Sequence, residues 1–197
     1  IKEFSKLILH ELNSRTIYKP DRIYDYVFLS FLLGNDFLPH FPALNLRTNG
    51  MDKLLEAYSH TIKNTKKSII YNNKIQWSVF RTFILYLVKQ ETSIIQTEFT
   101  KRNQQKIRHQ NSIEKRLDFL PLTERSVEKQ INPVADGWQN RYYNLLFDIY
   151  NVTPHINNIC TNYLEGLEWT FKYYTGDCPD WNWCYKYNYP PLLQDLY

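Results

Sequence analysis

Residues 24–44 read YDYVFLSFLLGNDFLPHFPAL, and the break in the middle of this stretch decides the class of fold. From Arg22 to Leu33 almost every side chain is apolar or aromatic. Such a run suits a buried helix or a buried strand, and its length favours helix. Gly34 and Asn35 are residue types that end helices. Pro39 and Pro42 then keep Phe37 to Leu46 out of helix, so an ordered loop is expected there. Asp36 therefore sits where an apolar helix delivers one carboxylate to a proline-stiffened loop. A buried carboxylate is costly unless it is paired or bound to a metal. The plain alternative is that Asp36 caps the loop by accepting bonds from local amides.

Working outward, Ile1, Phe4, Leu7, Ile8 and Leu12 lie on one helical face, and Pro20 stops that pattern. Asp21 is placed to cap the next helix. Downstream, Asp52 to Ile62 reads as a helix. Ser68 to Trp77 reads as a hairpin whose Asn72-Asn73 turn suits positive φ angles. Trp77 to about Gln96 is a helix with Phe80, Phe83, Ile84, Leu87 and Val88 on one face. Thr100 to Pro133 turns polar, with Lys101, Arg102, Lys106, Arg108, Lys115 and Arg116, and reads as a flexible basic arm. Trp138 to Tyr150 is an aromatic helix. Thr153 and Pro154 open another, which Gly176 ends. The expected fold class is mainly α: one multi-helical domain over 1–197 with a small β-hairpin and an extended aromatic C-terminal segment.

The formal net charge of +4 is mildly basic. It is compatible with a polyanionic partner and far from a pure nucleic-acid clamp. Cys160, Cys178 and Cys184 are few and odd in number, against a disulfide scaffold and for a reducing, intracellular setting. Their spacing matches no zinc pattern. The longest apolar run, Tyr26 to Gly34, is too short to span a bilayer. The chain begins at Ile1 and its one methionine is Met51, so it reads as an excised segment of something longer.

A second motif lies near the end, YLEGLEWTFKYYTGDCPDWNWCYKYNYPPLLQDLY, residues 163–197. Trp181, Trp183, Tyr185, Tyr187 and Tyr189 recur every second residue. In an extended chain these rings share a face. That face either packs as core or offers a stacking platform, where one base on one ring is worth roughly 1–3 kcal/mol whatever the base. A third stretch, GWQNRYYNLLFDIY at 137–150, reads as scaffold, with Arg141 pairing to an acidic neighbour.

These blocks, in this order, resemble the Xrn-type 5′→3′ exoribonucleases, specifically the helical second part of their nuclease core. The resemblance runs from about Ile17 to Tyr197 and departs at Asn188 and Pro190, where the family has His and Ala. It implies that Asp36 is a ligand of catalytic divalent ions, Mg²⁺ or Mn²⁺, and that Asn35 and His40 support the site. It implies that Trp181 or Trp183 stacks on RNA. It also implies single-stranded RNA with a 5′-monophosphate as substrate, and an N-terminal α/β half supplying the remaining acidic ligands and the phosphate pocket. Two-metal phosphodiester hydrolysis needs several carboxylates around ions about 3.5–4 Å apart, so this segment alone is expected to be inactive. The setting is cytoplasmic or nuclear. The competing readings are a structural or protein-interaction domain from an enzyme-dead relative, and a flap-type DNA nuclease.

Overall fold

Apolar side chains recurring every third or fourth residue set the inward faces of the helices. A computed structural model describes residues 22–104, 124–176 and 178–197, with Lys6, Leu7 and His10. The helix read over Ile1 to Leu12 otherwise lies outside the described residues, as do the Asp21 cap and residues 105–123 of the expected basic arm.

Helix α1 spans Arg22–Ser30 and tightens into a 3₁₀ turn at Phe31–Leu33. Gly34 ends it at φ 90°, where its N–H donates to the Phe31 carbonyl. Helix α2, Gly50–Thr65, outruns the expected Asp52 to Ile62 at both ends and closes on Lys66 in the left-handed region. Strands β1 (Ile70–Tyr71) and β2 (Lys74–Ile75) pair antiparallel, Ile70 opposite Ile75. Asn72 and Asn73 sit at φ 48° and 56°, the double positive turn that matches strand twist.

Helix α3 runs Trp77–Gln104, eight residues past the expected end. No Gly or Pro interrupts 97–104, and buried Phe99 anchors that turn under the Arg125 guanidinium, 5.5 Å away. Helices α4 (Ser126–Ile131), α5 (Trp138–Phe147), α6 (Thr153–Thr175) and α7 (Leu193–Leu196) follow. Two ends of the expected basic arm are thus helical. Among the described residues no helix is long and apolar enough to cross a membrane.

The chain groups into two compact units, Ile1–Glu91 with Thr153–Tyr197, and Thr92–Val152, where the sequence reads as one domain. In the second unit Arg141 pairs with no acid among the described residues. It donates to four carbonyls, of Ile131, Asn132, Ala135 and Asp136, at 2.8, 3.2, 3.0 and 2.7 Å. These belong to the end of α4 and the turn after it, where a helix leaves carbonyls without partners. Lys101 pairs with Glu98, and Arg102 with Glu128, so these two cations of the arm are engaged within the fold.

In the first unit the Phe28 ring meets Phe80 and Phe171 edge-on at 5.5 and 6.1 Å, joining α1, α3 and α6. Two buried carboxylates fix the periphery. Asp25 accepts from the Tyr58 hydroxyl and the Ile70 amide, tying α1 to α2 and β1. Glu91 accepts from the Leu193 and Gln194 amides, at 2.7 and 2.9 Å, and so holds the first turn of α7. Burial raises both acids, Asp25 to about 6 and Glu91 to about 7, against the pull of those amides.

Candidate functional site

The loop after α1 is held by its own backbone and by Asn35. The Asn35 side-chain oxygen accepts from the Phe37 and Leu38 amides at 2.8 and 2.9 Å, and its N–H donates to the Leu38 carbonyl at 3.0 Å. The loop folds back so tightly that a Cβ on Gly34 would lie 3.1 Å from the His40 backbone nitrogen. Asn35 thus performs the capping that was the plain alternative for Asp36. Asp36 is exposed, with no hydrogen bond or ion pair among the described residues. His40 is exposed too. Its Nδ1 lies 3.0 Å from the Phe41 carbonyl, so in the neutral ring Nδ1 carries the proton and Nε2 is an acceptor.

Helix α6 clamps this loop. The Tyr163 hydroxyl donates to the Pro39 carbonyl at 2.8 Å, and its ring meets Phe41 at 4.8 Å. Phe37 sets its edge against Trp169 and Tyr173, at 4.9 and 5.0 Å. Gly166 lets the elements approach: a Cβ there would lie 2.6 Å from both the Leu38 methyl and the Trp183 ring. That Trp183 contact brings the C-terminal segment to the same helix face.

The C-terminal rings divide into two roles. Trp183 stacks on Trp169 at 5.4 Å, and Trp169 stacks on Tyr173 at 5.3 Å. Tyr185 meets Tyr163 edge-on at 5.4 Å and donates its hydroxyl to the Tyr189 carbonyl. From 182 to 187 exposure alternates as the spacing predicts: Asn182, Cys184 and Lys186 face outward, while Trp183, Tyr185 and Tyr187 are half-buried. Trp181 breaks the pattern. A turn about Asp180, whose side chain accepts the Asn182 amide, leaves the Trp181 ring 77% exposed, edge-on to Tyr173 at 6.0 Å.

The structure therefore brings both motif blocks together, with Asp36 next to Phe37 and the two tryptophans linked to Phe37 through Trp169 and Tyr173. Among the described residues no three His, Cys, Asp or Glu side chains converge as a metal cluster. Asp25 is held within the fold by Tyr58 and Ile70, and Glu56 accepts from the Tyr86 hydroxyl. Sequence reasoning gave no role to Trp169, Tyr173 and Gly166 of α6. Gly166 was the available signal, since a glycine inside a helix usually marks close packing.

The family model described as "Xrn1 helical domain" matches residues 17–132 and 122–197. The chain belongs to the Xrn1 helical domain family. Curated relatives of this Xrn domain include a "5'-3' exoribonuclease 2 homolog" of Drosophila melanogaster, 24% identical over all of this chain and 27% of the relative. The "5'-3' exoribonuclease 2" of Gallus gallus is 22% identical over 87% of the chain and 25% of its own length. The "5'-3' exoribonuclease 1" of Saccharomyces cerevisiae is 34% identical over 37% of the chain and 5% of its own length. The Xrn domain here thus spans about a quarter of the length of the first two.

Proposed function

We propose that this chain is the helical part of a longer 5′→3′ exoribonuclease that processively hydrolyses 5′-monophosphorylated single-stranded RNA. Asp36 gives one carboxylate to a divalent-ion site, and an N-terminal half of the same protein completes it. The observation that carries this reading is the state of Asp36. Its carboxylate is exposed and, among the described residues, unengaged, on a loop pinned by Asn35 within and by Tyr163, Trp169 and Tyr173 from α6. A structural aspartate is normally hydrogen-bonded, as Asp25 is here. A rigid free carboxylate suits Mg²⁺ or Mn²⁺, since Mg²⁺ takes one or two carboxylates together with substrate phosphate and waters.

Divalent ions, when bound, activate water and stabilise the leaving oxygen. Asp36 would hold its share of that site, Asn35 is a positioning residue for the loop, and the His40 Nε2 is free to accept from substrate or water. Trp181 offers an open ring for a base, while Trp183 chiefly supports it through Trp169 and Tyr173. Such stacking tolerates any base, as processive degradation requires.

The test uses the full-length protein on RNA carrying either a 5′-monophosphate or a 5′-hydroxyl, with Mg²⁺ or with EDTA. Mononucleotides released only from the monophosphorylated RNA, and only with the metal, are expected. Equal degradation of both RNAs, undiminished activity in EDTA, or no degradation at all overturns the reading. A companion series separates the tryptophans. Trp181→Ala should weaken the hold on RNA, and so shorten processive runs, by about tenfold. Its stability should change by less than about 0.5 kcal/mol. Trp183→Ala should instead cost about 2 kcal/mol of stability, because it removes a half-buried ring from the Trp169 stack. Run lengths unchanged in Trp181→Ala would remove that residue from the RNA path.

A further inference from the structure

We propose that the cleft beside the hairpin is a second RNA-strand site, holding nucleotides 3′ to the end gripped near Asp36; this rests on the reading of the chain as part of an RNA-degrading enzyme. The cleft lies between the hairpin, the end of α2 and the end of α6, and encloses 990 Å³, the upper end of the range for ligand sites. Lys66 and Lys67 line it, both exposed and neither ammonium partnered among the described residues. None of the described lining residues is acidic. Three tyrosines, Tyr24, Tyr71 and Tyr174, share the lining, at 49%, 63% and 53% exposure.

Two lysines at the end of α2 also complement its dipole. That role accounts for the charges and leaves unexplained the open rings of Tyr24 and Tyr71, and the exposed side of Tyr174, around the same space. Cations with exposed rings are the pairing that holds phosphates and bases of a single strand. A protein partner fits less well, because the one aliphatic residue among the described lining, Ile70, is 4% exposed and offers no apolar seat. The cleft also joins the Asp36 loop. Tyr174 stacks on Phe31 at 5.5 Å and faces Phe37, which precedes the contact to Tyr173 and then Trp181. A row of rings thus runs from Trp181 through Tyr173 and Phe37, the residue after Asp36, to Tyr174 in the cleft.

The experiment measures binding of 3′-labelled, 5′-phosphorylated RNAs of about 16 and about 4 nucleotides to the full-length protein across a salt series. Lys66→Asn with Lys67→Gln should weaken the longer RNA about tenfold and make its salt slope shallower by about 1.4, at about 0.7 per phosphate on a single strand. Asparagine suits the positive φ at position 66. Tyr71→Ala should also weaken the longer RNA about tenfold, and Tyr71→Phe, which keeps the ring, should restore it. The shorter RNA should bind all variants like wild type, which also reports that they are folded. Unchanged affinity for the longer RNA, or equal losses at both lengths, overturns the cleft assignment while RNA degradation by the wild type still stands. A wild type that binds neither RNA overturns both.

Discussion

Asp36→Ala in the full-length protein is expected to slow RNA hydrolysis by about a thousandfold or more, with its stability and RNA affinity close to wild type. The size follows from the proposed role: losing a metal ligand would forfeit several kcal/mol of transition-state charge stabilisation. The selectivity follows from the local geometry. The loop's amides are satisfied by Asn35, at 2.8 and 2.9 Å, so truncating Asp36 leaves no donor without its acceptor. An exposed side chain with no partner typically changes stability by less than about 0.5 kcal/mol when cut back. Asp36→Asn sharpens the test, since it preserves shape and removes the negative charge that a divalent ion needs. Single-turnover hydrolysis with saturating Mg²⁺, beside a melting curve, is the measurement. Near wild-type turnover in either variant ends the assignment. Asn35→Ala should show the converse, a loop destabilised by about 1–2 kcal/mol through two lost amide bonds, with activity falling only because Asp36 is no longer held in place.

Asp25→Ala should lower the stability of the first unit by on the order of 3 kcal/mol. The two aspartates are the same residue type on one short stretch of chain, and their surroundings give them opposite jobs. Asp25 is fully buried, with one oxygen on the Tyr58 hydroxyl and the other on the Ile70 amide at 2.6 Å. Alanine leaves both donors buried and unmatched, which costs more than the bonds themselves were worth. Adding Tyr58→Phe removes one orphaned donor and should recover about 1 kcal/mol. Faster hydrogen exchange at the Ile70 amide should accompany the loss. Unfolding of Asp25→Ala at the wild-type midpoint would sink the structural assignment. The pH response carries a sign as well. Burial raises the Asp25 carboxyl from 3.8 to about 6, so its protonated form favours the folded state. Its contribution is whole below its ordinary value and is lost as the pH climbs through about 6. The alanine variant should lack that limb of the stability profile.

Much of the architecture is legible in the residues because local rules were left unopposed. Asn72-Asn73 takes the two positive φ angles its residue types tolerate, and Gly34 and Gly176 end their helices at φ 90° and 92°. Helix α3 is where local reading stops short. Apolar spacing thins after Gln96, and only the packing of Phe99 under Arg125 shows that the helix continues. Arg141 misleads in a similar way. A guanidinium suggests a carboxylate partner, but the carbonyls left open at the end of α4 and in the turn after it come together only in three dimensions.

By itself the sequence determined the helical class, the hairpin, the break at Gly34, and two motif blocks whose order identifies the family. Those features depend on neighbours within a few residues, which a linear reading contains. Tertiary structure alone decided which carboxylate is buried and engaged and which is exposed without a partner among the described residues, and which tryptophan is packed and which is open. Asp25 and Asp36 differ by the arrival of Tyr58 and Ile70 from other elements, and Trp181 and Trp183 by the turn at Asp180 and the stack on Trp169. Burial and partnership are set by chain segments far apart in sequence, and residue type and spacing do not carry that information.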